Sequence, residues 1–462
     1  MARPCDLSAA ELGQAYRDQT LSPVEVALDV LRHIDAWEPS LHATYALDPE
    51  SALAQASDSQ ARWQRGSPLS ELDGVPTLIK ENIATRGVPV PLGTAATERV
   101  PARADAPPAV RLREAGALIL GKTTMPDLGM LSSGLSSLHP LTRNPWDLRL
   151  NPGGSSAGAA AGAAAGYGPL QVGTDIGGSI RLPAGWCGVF GMKPSHGRVP
   201  IGAPYPARVA GPITRSVTDA ALMLSALSQP DWRDHMSLPA ERIEWMQLDR
   251  DLRGLRIGVM LDAGWGLAPD PEVTAVVAAA ANAFESAGAI VEPLAPFVTR
   301  EMATGIDRFW RIRAWVDLQT FDVERQRLVL PFIYEWARGG AGLSGVDVMK
   351  SYSQTLAMRA ATVAACQPYD FVLSPVAPMT AFAAELPCPT NDATRPFEHI
   401  AYTLPFSMSE QPAASINAGY STEGLPIGLQ IVGRRFDDLG VLQLSRAWEQ
   451  MRPAQRGWPL PP

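Results

Sequence analysis

Paired cysteines are missing from this sequence. Cys5, Cys187, Cys366 and Cys388 are scattered, with no CxxC and no matched spacing. That excludes a disulfide framework and a cysteine zinc site, and leaves four small apolar residues in a reducing compartment. Metal-ligand clusters of His, Asp and Glu at ligand spacing are absent too, so no metal is expected. There is no signal-peptide core at the N-terminus. No apolar run reaches about 18 residues outside an Ala/Gly stretch near 157–166, which is too short and too weakly apolar to span a bilayer. The expectation is a soluble, cytoplasmic protein without a membrane partner. The net charge of −8 argues against nucleic acid. There is also no internal repeat, charged tail or low-complexity linker.

What is present is ordinary globular composition, 46% apolar and 19% charged, over 462 residues. That length buries a substantial core. With a normal apolar fraction, the 42 prolines indicate ordered loops rather than disorder. "SAAE" (Ser8–Glu11) and "SPVE" (Ser22–Glu25) are capping boxes, the second with Pro23 at the first helical position. A third helix is expected from about Pro49 to Arg65, ending at Gly66. Beyond it, apolar runs at Val75–Ile79, Ala117–Leu120, Leu170–Val172, Leu255–Met260 and Phe371–Leu373 alternate with helical segments at Pro108–Glu114, Thr218–Leu227 and Pro271–Ala287. Such alternation predicts an α/β fold, a single large domain with a mixed, mostly parallel central sheet covered by helices. Residues 300–368 read as helical and carry Trp310, Trp315 and Trp336, expected mainly in the core. The sheet pattern resumes at "YDFVLSPVAP" and "GLPIGLQIVG", and Val441–Met451 reads as a last helix.

Two Gly/Ser runs, "GGSSAG" (Gly153–Gly158) and "GTDIGGSIR" (Gly173–Arg181), hold the chemistry. As phosphate cradles they fail, since neither has the P-loop or GxGxxG spacing. Gly154–Gly158 satisfies G-x-S-x-G around Ser156, but "TRNPWDLRLNP" is no strand, and the downstream histidines His196, His235 and His399 have no distinctive setting. A serine hydrolase with a lysine base fits more residues. In "GTDIGGSIR" the N–H groups of Ile176, Gly177, Gly178 and Ser179 can point one way as an anion-holding nest beside a serine hydroxyl. Lys80 follows an apolar run, which predicts a buried strand end where the ammonium is disfavoured. Ser155 and Ser156 also suit N-caps of the Ala-rich helix that follows. His139 and His196 read as ordinary loop residues.

Those two runs, with "LDGVPTLIKENI", "GALILGKTTMPDLGM", "GTDIGGSIRLPAGWCGVFGMKPSHGRVP" and "LPIGLQIVGRRFDD", closely resemble the amidase signature family. The resemblance is dense over residues 7–230, thinner over 370–450, and carries no motif over 300–368. It implies a metal-free, cofactor-free amidohydrolase that cleaves a C–N bond of an amide, carbamate or urea through an acyl-enzyme. By the same resemblance Ser179 is the nucleophile, Ser155 the bridging serine after a cis peptide, and Lys80 the base. Ile176, Gly177, Gly178 and Ser179 would supply the oxyanion hole, and Met130 a main-chain contact to substrate. Ser156, Thr174, Asp175 and Arg181 would support them, the last two as a structural ion pair. Ala157 departs from the family, which often has glycine there. The implied layout is an N-terminal helical segment (1–66), a signature core (67–300), a helical substrate-cleft segment (301–370) and a C-terminal return to the sheet (371–462). The implied partner is a small-molecule amide or carbamate. Homodimers are common in such enzymes, but no stretch specifies an interface. A second reading is the glutaminase component of a tRNA-dependent amidotransferase complex. It needs an arginine for the glutamine carboxylate, and Arg308, Arg311 and Arg313 are the candidates. Aromatic density in that segment favours an apolar acyl or aryl group instead.

Overall fold

A computed structural model describes residues 3–202 and 204–462. The chain opens with α1 (Ala9–Arg17) and α2 (Pro23–Leu41), both with complete capping boxes from Ser8–Glu11 and Ser22–Glu25. Next come β1 (Thr44–Tyr45), α3 (Pro49–Gln64), β2 (Pro76–Lys80), α4 (Pro107–Glu114), β3 (Leu118–Thr123), α5 (Ala157–Ala165), β4 (Leu170–Asp175) and α6 (Arg181–Cys187). Then follow β5 (Phe190–Lys193), β6 (Val209–Thr214), α7 (Val217–Leu227), β7 (Arg256–Val259), α8 (Pro271–Ser286) and β8 (Ile290–Pro293). The Trp-bearing stretch is all helical: α9 (Arg300–Leu318), α10 (Val323–Gln326), α11 (Pro331–Arg338) and α12 (Gly345–Cys366). The chain closes with β9 (Phe371–Pro375), α13 (Leu404–Met408), β10 (Ala413–Tyr420), β11 (Pro426–Gly433) and α14 (Asp438–Met451).

Among the described residues, eleven strands join one sheet in the order β1-β3-β2-β4-β6-β5-β10-β11-β9-β7-β8. The sheet is mixed, as the alternation implied. Its expected parallel majority is corrected: four pairings are parallel (β2–β3, β2–β4, β7–β8, β7–β9) and six antiparallel. Parallel pairs arise where a helix crosses over, as α4 does between β2 and β3 and α8 between β7 and β8. The centre is antiparallel because β10 and β11 are joined by a loop too short for a crossover. β5, β6, β8 and β10 were not legible as strands. β5 and β6 carry glycine or proline inside them, and β8 is a four-residue strand with exposed ends.

β2 and β4 run side by side in parallel, so Lys80 and Thr174–Asp175 arrive at the same edge of the sheet. α5 is wholly buried and made only of Ala and Gly, so it can lie deep beside that edge. A Cβ on Gly158 would stand 2.1 Å from the Ala43 carbonyl oxygen, so only glycine allows the approach. Two main apolar clusters result. One lies on the sheet, and the other lies beneath α9–α12 and the loop before α13. No helix among the described residues is long and apolar enough to cross a membrane.

His399 sits fully buried in that loop, its ring stacked on Trp186 at 6.0 Å, and neither ring nitrogen has a hydrogen-bond partner among the described residues. Burial pushes its pKa from 6.5 down to about 3. The unfolded chain therefore binds the extra proton between those values, and stability falls as pH falls through that window. Stability relative to His399→Leu is expected to drop by about 1.4 kcal/mol per pH unit below 6.5. Urea unfolding of both proteins at pH 7 and pH 5 checks this, and a pH-independent difference would contradict it.

Candidate active site

The turn from β4 into α6 organises the site. Asp175 and Arg181 are both fully buried and form the expected ion pair, with Arg181 Nε and Nη2 donating to the two carboxylate oxygens at 3.0 and 2.9 Å. The remaining guanidinium donors reach the Thr403 carbonyl at 2.9 Å, Gln430 Oε1 at 2.7 Å and Ser407 Oγ at 2.7 Å. Burial alone would raise the Asp175 carboxyl, but the Arg181 charge and hydrogen bonds outweigh it and hold the pKa at about 2. The same carboxylate accepts from the N–H groups of Gly178 (2.8 Å), Ile180 (3.1 Å) and Arg181 (3.4 Å). It thereby winds the backbone between them into a tight turn.

This corrects one expectation. The Gly178 N–H is spent on Asp175 and is not available to an oxyanion. The N–H groups of Ile176, Gly177 and Ser179 have no acceptor among the described residues. Gly178 is needed for its backbone: φ is +132°, and a Cβ there would lie 2.6 Å from Thr403 Oγ1.

Lys80 closes the base of the site and is fully buried. Its Nζ lies 2.8 Å from Ser155 Oγ, 3.1 Å from Ser156 Oγ and 2.9 Å from Thr174 Oγ1. Burial, and after it the charge of Arg208, hold its pKa well below the ordinary lysine value, against opposing pulls from Asp175 and Glu81. The peptide Gly154–Ser155 is cis. Ser156 stands at the start of α5, yet its hydroxyl does not cap the helix. It donates to the Thr174 carbonyl (3.2 Å) and accepts from the Thr174 N–H (3.2 Å), so the N-cap expectation is replaced by a clamp onto β4. Ala157 is buried.

Ser155 and Ser179 face one cavity of about 400 Å³, also lined by Asn82, Thr174, Ile176, Gly177 and Met130. The Ser179 hydroxyl makes no hydrogen bond among the described residues, and its carbonyl accepts from the Ser156 N–H at 3.1 Å. Met125, Leu128, Trp310, Phe321 and Phe397 form apolar walls. Trp310 thus belongs to the cavity, whereas Trp336 is core, with its Nε1 donating to Asp307 at 2.9 Å. Of the three arginines offered for an anion, only Arg313 lines the cavity. Arg311 is tied to Asp307 and to the Ala393 and Thr394 carbonyls, and Arg308 is exposed elsewhere. His139 is no idle loop residue: its Nε2 lies 2.6 Å from Glu81 Oε2, next to Lys80.

Sequence reasoning missed Asn82, Arg208 and Asp317. Asn82 was within reach, since it stands in the quoted "IKEN" and donates to Thr174 Oγ1 at 3.1 Å. Arg208 and Asp317 carry no local signal and meet the site only through the fold. Among the described residues no group of His, Cys, Asp and Glu is placed to hold a metal ion.

Removing Arg181 would leave the Asp175 carboxylate buried and unpaired. Arg181→Met is expected to cost roughly 3–5 kcal/mol in unfolding free energy. The double variant Asp175→Asn/Arg181→Met should lose less than the sum of the two single changes. Denaturant titration of the four proteins measures the coupling, and strict additivity would contradict the pairing.

Comparison with known proteins places the chain in a family. The family model described as Amidase matches residues 25–442. An acylamidase of Rhodococcus erythropolis is 33% identical over 457 residues, covering 97% of this chain and 96% of its own. The A subunit of a glutamyl-tRNA(Gln) amidotransferase from a Cyanothece species is 32% identical, with coverage of 96% and 98%. The crystal structure of a bacterial aryl acylamidase of the amidase signature family superposes with a TM-score of 0.89 at 29% identity, covering 97% of this chain and 96% of that one. With the family model and these relatives running nearly end to end, this chain belongs to the amidase signature family.

Proposed function

We propose that this amidase signature hydrolase cleaves the C–N bond of a small amide through an acyl-enzyme on Ser179, with Lys80 as base and Ser155 between them. A carbamate is a chemically similar alternative. The observation that carries this reading is a fully buried lysine whose Nζ faces three hydroxyls, two of which, Ser155 and Thr174, line the cavity that Ser179 also lines.

The hydrogen bonds favour one direction of proton flow. Ser156 commits its proton to the Thr174 carbonyl, and Thr174 Oγ1 reaches Asn82 Oδ1 at 3.5 Å. Both therefore act as acceptors toward Lys80. A neutral amine has two N–H donors and one lone pair. The two donors go to Ser156 and Thr174, and the lone pair is left for the Ser155 proton. Ser155 in turn takes the Ser179 proton as Oγ of Ser179 adds to the substrate carbonyl. That step needs the Ser179 hydroxyl to turn onto Ser155, and catalytic hydrogen bonds often tighten only with substrate present. The N–H groups of Ile176, Gly177 and Ser179 would hold the oxyanion. The proton returns through Ser155 to the leaving nitrogen, the C–N bond breaks and the amine departs. Water, deprotonated by the same relay, then hydrolyses the ester and releases the acid.

The apolar walls support an acyl or aryl group on the substrate. Residues 301–370 fit a cleft segment in this reading, since Trp310, Arg313, Asp317 and Phe321 reach the cavity from there. A cytoplasmic setting belongs to the reading and is supported by four cysteines without paired spacing. One observation favours the second reading, a glutamine-hydrolysing component of a larger complex: an arginine and an acid, Arg313 and Asp317, both line the cavity. Against it, these two lie 3.9 Å apart on one helix and partly satisfy each other.

Two outcomes test the mechanism. Lys80→Met is expected to lower kcat by about 100- to 10,000-fold on an aryl amide, and Ser179→Ala to abolish the acyl-enzyme, with the double variant no worse than Ser179→Ala alone. Mass spectrometry of trapped enzyme and steady-state rates check both; turnover surviving Ser179→Ala would overturn the proposal. Because the base must be neutral and its pKa is depressed, kcat/KM should rise with pH along a limb well below the 10.5 of free lysine. A panel of p-nitroacetanilide, an aryl carbamate, an aliphatic amide and glutamine, given to the chain alone, separates the two readings.

A further inference from the structure

Most charged groups near the cavity already have partners. Asp175 holds Arg181, Glu81 faces His139, and Asp317 lies 3.9 Å from Arg313. Arg208 is different. Its guanidinium makes no hydrogen bond and no ion pair with any described residue, and it lines the same cavity as Ser155, Ile176 and Ser179. The sheet places it there: Val209, the first residue of β6, pairs with Asp175, the last residue of β4, so Arg208 comes one step beyond, beside Ile176.

A guanidinium carries five donors in a fixed fork and no acceptor. Half-buried and without a protein acceptor, it is an incomplete site. Burial and the nearby Arg313 charge both push its pKa down, so the cavity holds a cation that its own walls do not neutralise. Arg313 cannot supply the missing anion. Its guanidinium lies over the Tyr205 ring at 4.3 Å and adds positive charge to the same side. Met125, Leu128, Trp310, Phe321 and Phe397 give the same cavity apolar walls.

We propose that Arg208 reads an anionic group on the substrate, and that the preferred substrates are amides whose apolar or aromatic body carries a carboxylate. This rests on the amide-hydrolase reading of the cavity and narrows its substrate class. A carboxylate matches the fork in two parallel N–H···O bonds, which adds both energy and orientation. Arg208 is a specificity residue in this account, since it meets the substrate away from the bond that breaks.

Binding tests it without relying on turnover. In a Ser179→Ala background, calorimetry compares two matched pairs: 4-acetamidobenzoate with acetanilide, and N-phenylsuccinamate with N-phenylbutanamide. The pairs place the carboxylate on the amine side or the acyl side of the amide. The carboxylated member of at least one pair should bind about 10- to 100-fold more tightly, as loss of charged hydrogen bonds implies. Adding Arg208→Met should bring the members of that pair within about two-fold of each other. Arg208→Gln carries the same expectation should the methionine variant fail to fold, which circular dichroism reports. No preference in either pair, or a preference that survives loss of the arginine, overturns the proposal. So does an equal loss on both members of a pair, which would mean that Arg208 acts through Lys80. Hydrolysis of the neutral anilides by the unmodified chain is read separately, so failure of the hydrolase reading and failure of the carboxylate reading give different results.

Discussion

The site depends on one buried carboxylate. Asp175 ends a central strand, pairs with Arg181 six residues on, and collects the backbone N–H groups of Gly178, Ile180 and Arg181. An unpaired carboxylate at that depth would be prohibitively costly, so the pair is kept together by the same burial that makes it expensive. Within the turn it winds, the Ile176, Gly177 and Ser179 N–H groups have no acceptor among the described residues. Arg181 then carries the constraint outward through Ser407, Thr403 and Gln430, which links the early motif to the last part of the sheet.

Three buried lysines differ in geometry more than in burial. Burial holds Lys122 and Lys193 at about 7. Lys122 Nζ donates to the Ile83 carbonyl and to Thr85 Oγ1, and Lys193 Nζ to the Pro194 carbonyl. A carbonyl has no proton to give, and none of these partners lines the cavity, whereas Ser155 and Thr174 beside Lys80 do. Lys80 alone of the three faces a ring of hydroxyls, two of which direct their protons elsewhere. A depressed pKa becomes useful only beside a hydroxyl whose proton can move.

Much of the site was legible because its residues sit in continuous motifs. Capping boxes, the apolar run before Lys80 and the Gly/Ser turns are local, and local chemistry is written in adjacent letters. Less legible were strands interrupted by glycine or proline, such as β5 and β6, which the sheet forms because neighbouring strands supply the hydrogen bonds. Gly178 was misread because a glycine-rich nest offers several N–H groups, and nothing local says which one a carboxylate will take. Of the two readings of Ser156, as a cap and as a support, the structure keeps the second, because its hydroxyl's partners lie on β4, eighteen residues away.

By itself the sequence determined the α/β class and the family, and singled out the serines and the lysine that the fold brings together, since these rest on short continuous motifs. Tertiary structure decided the balance of parallel and antiparallel strands, the N–H groups of Ile176, Gly177 and Ser179 that have no acceptor among the described residues, and which aromatics form walls. It also decided that Arg208, in a loop with no motif, lines the cavity without a side-chain partner among the described residues. The physical reason is distance along the chain. Pairing of strands and satisfaction of charges are settled between segments that meet only on folding, and no adjacent residues record the outcome.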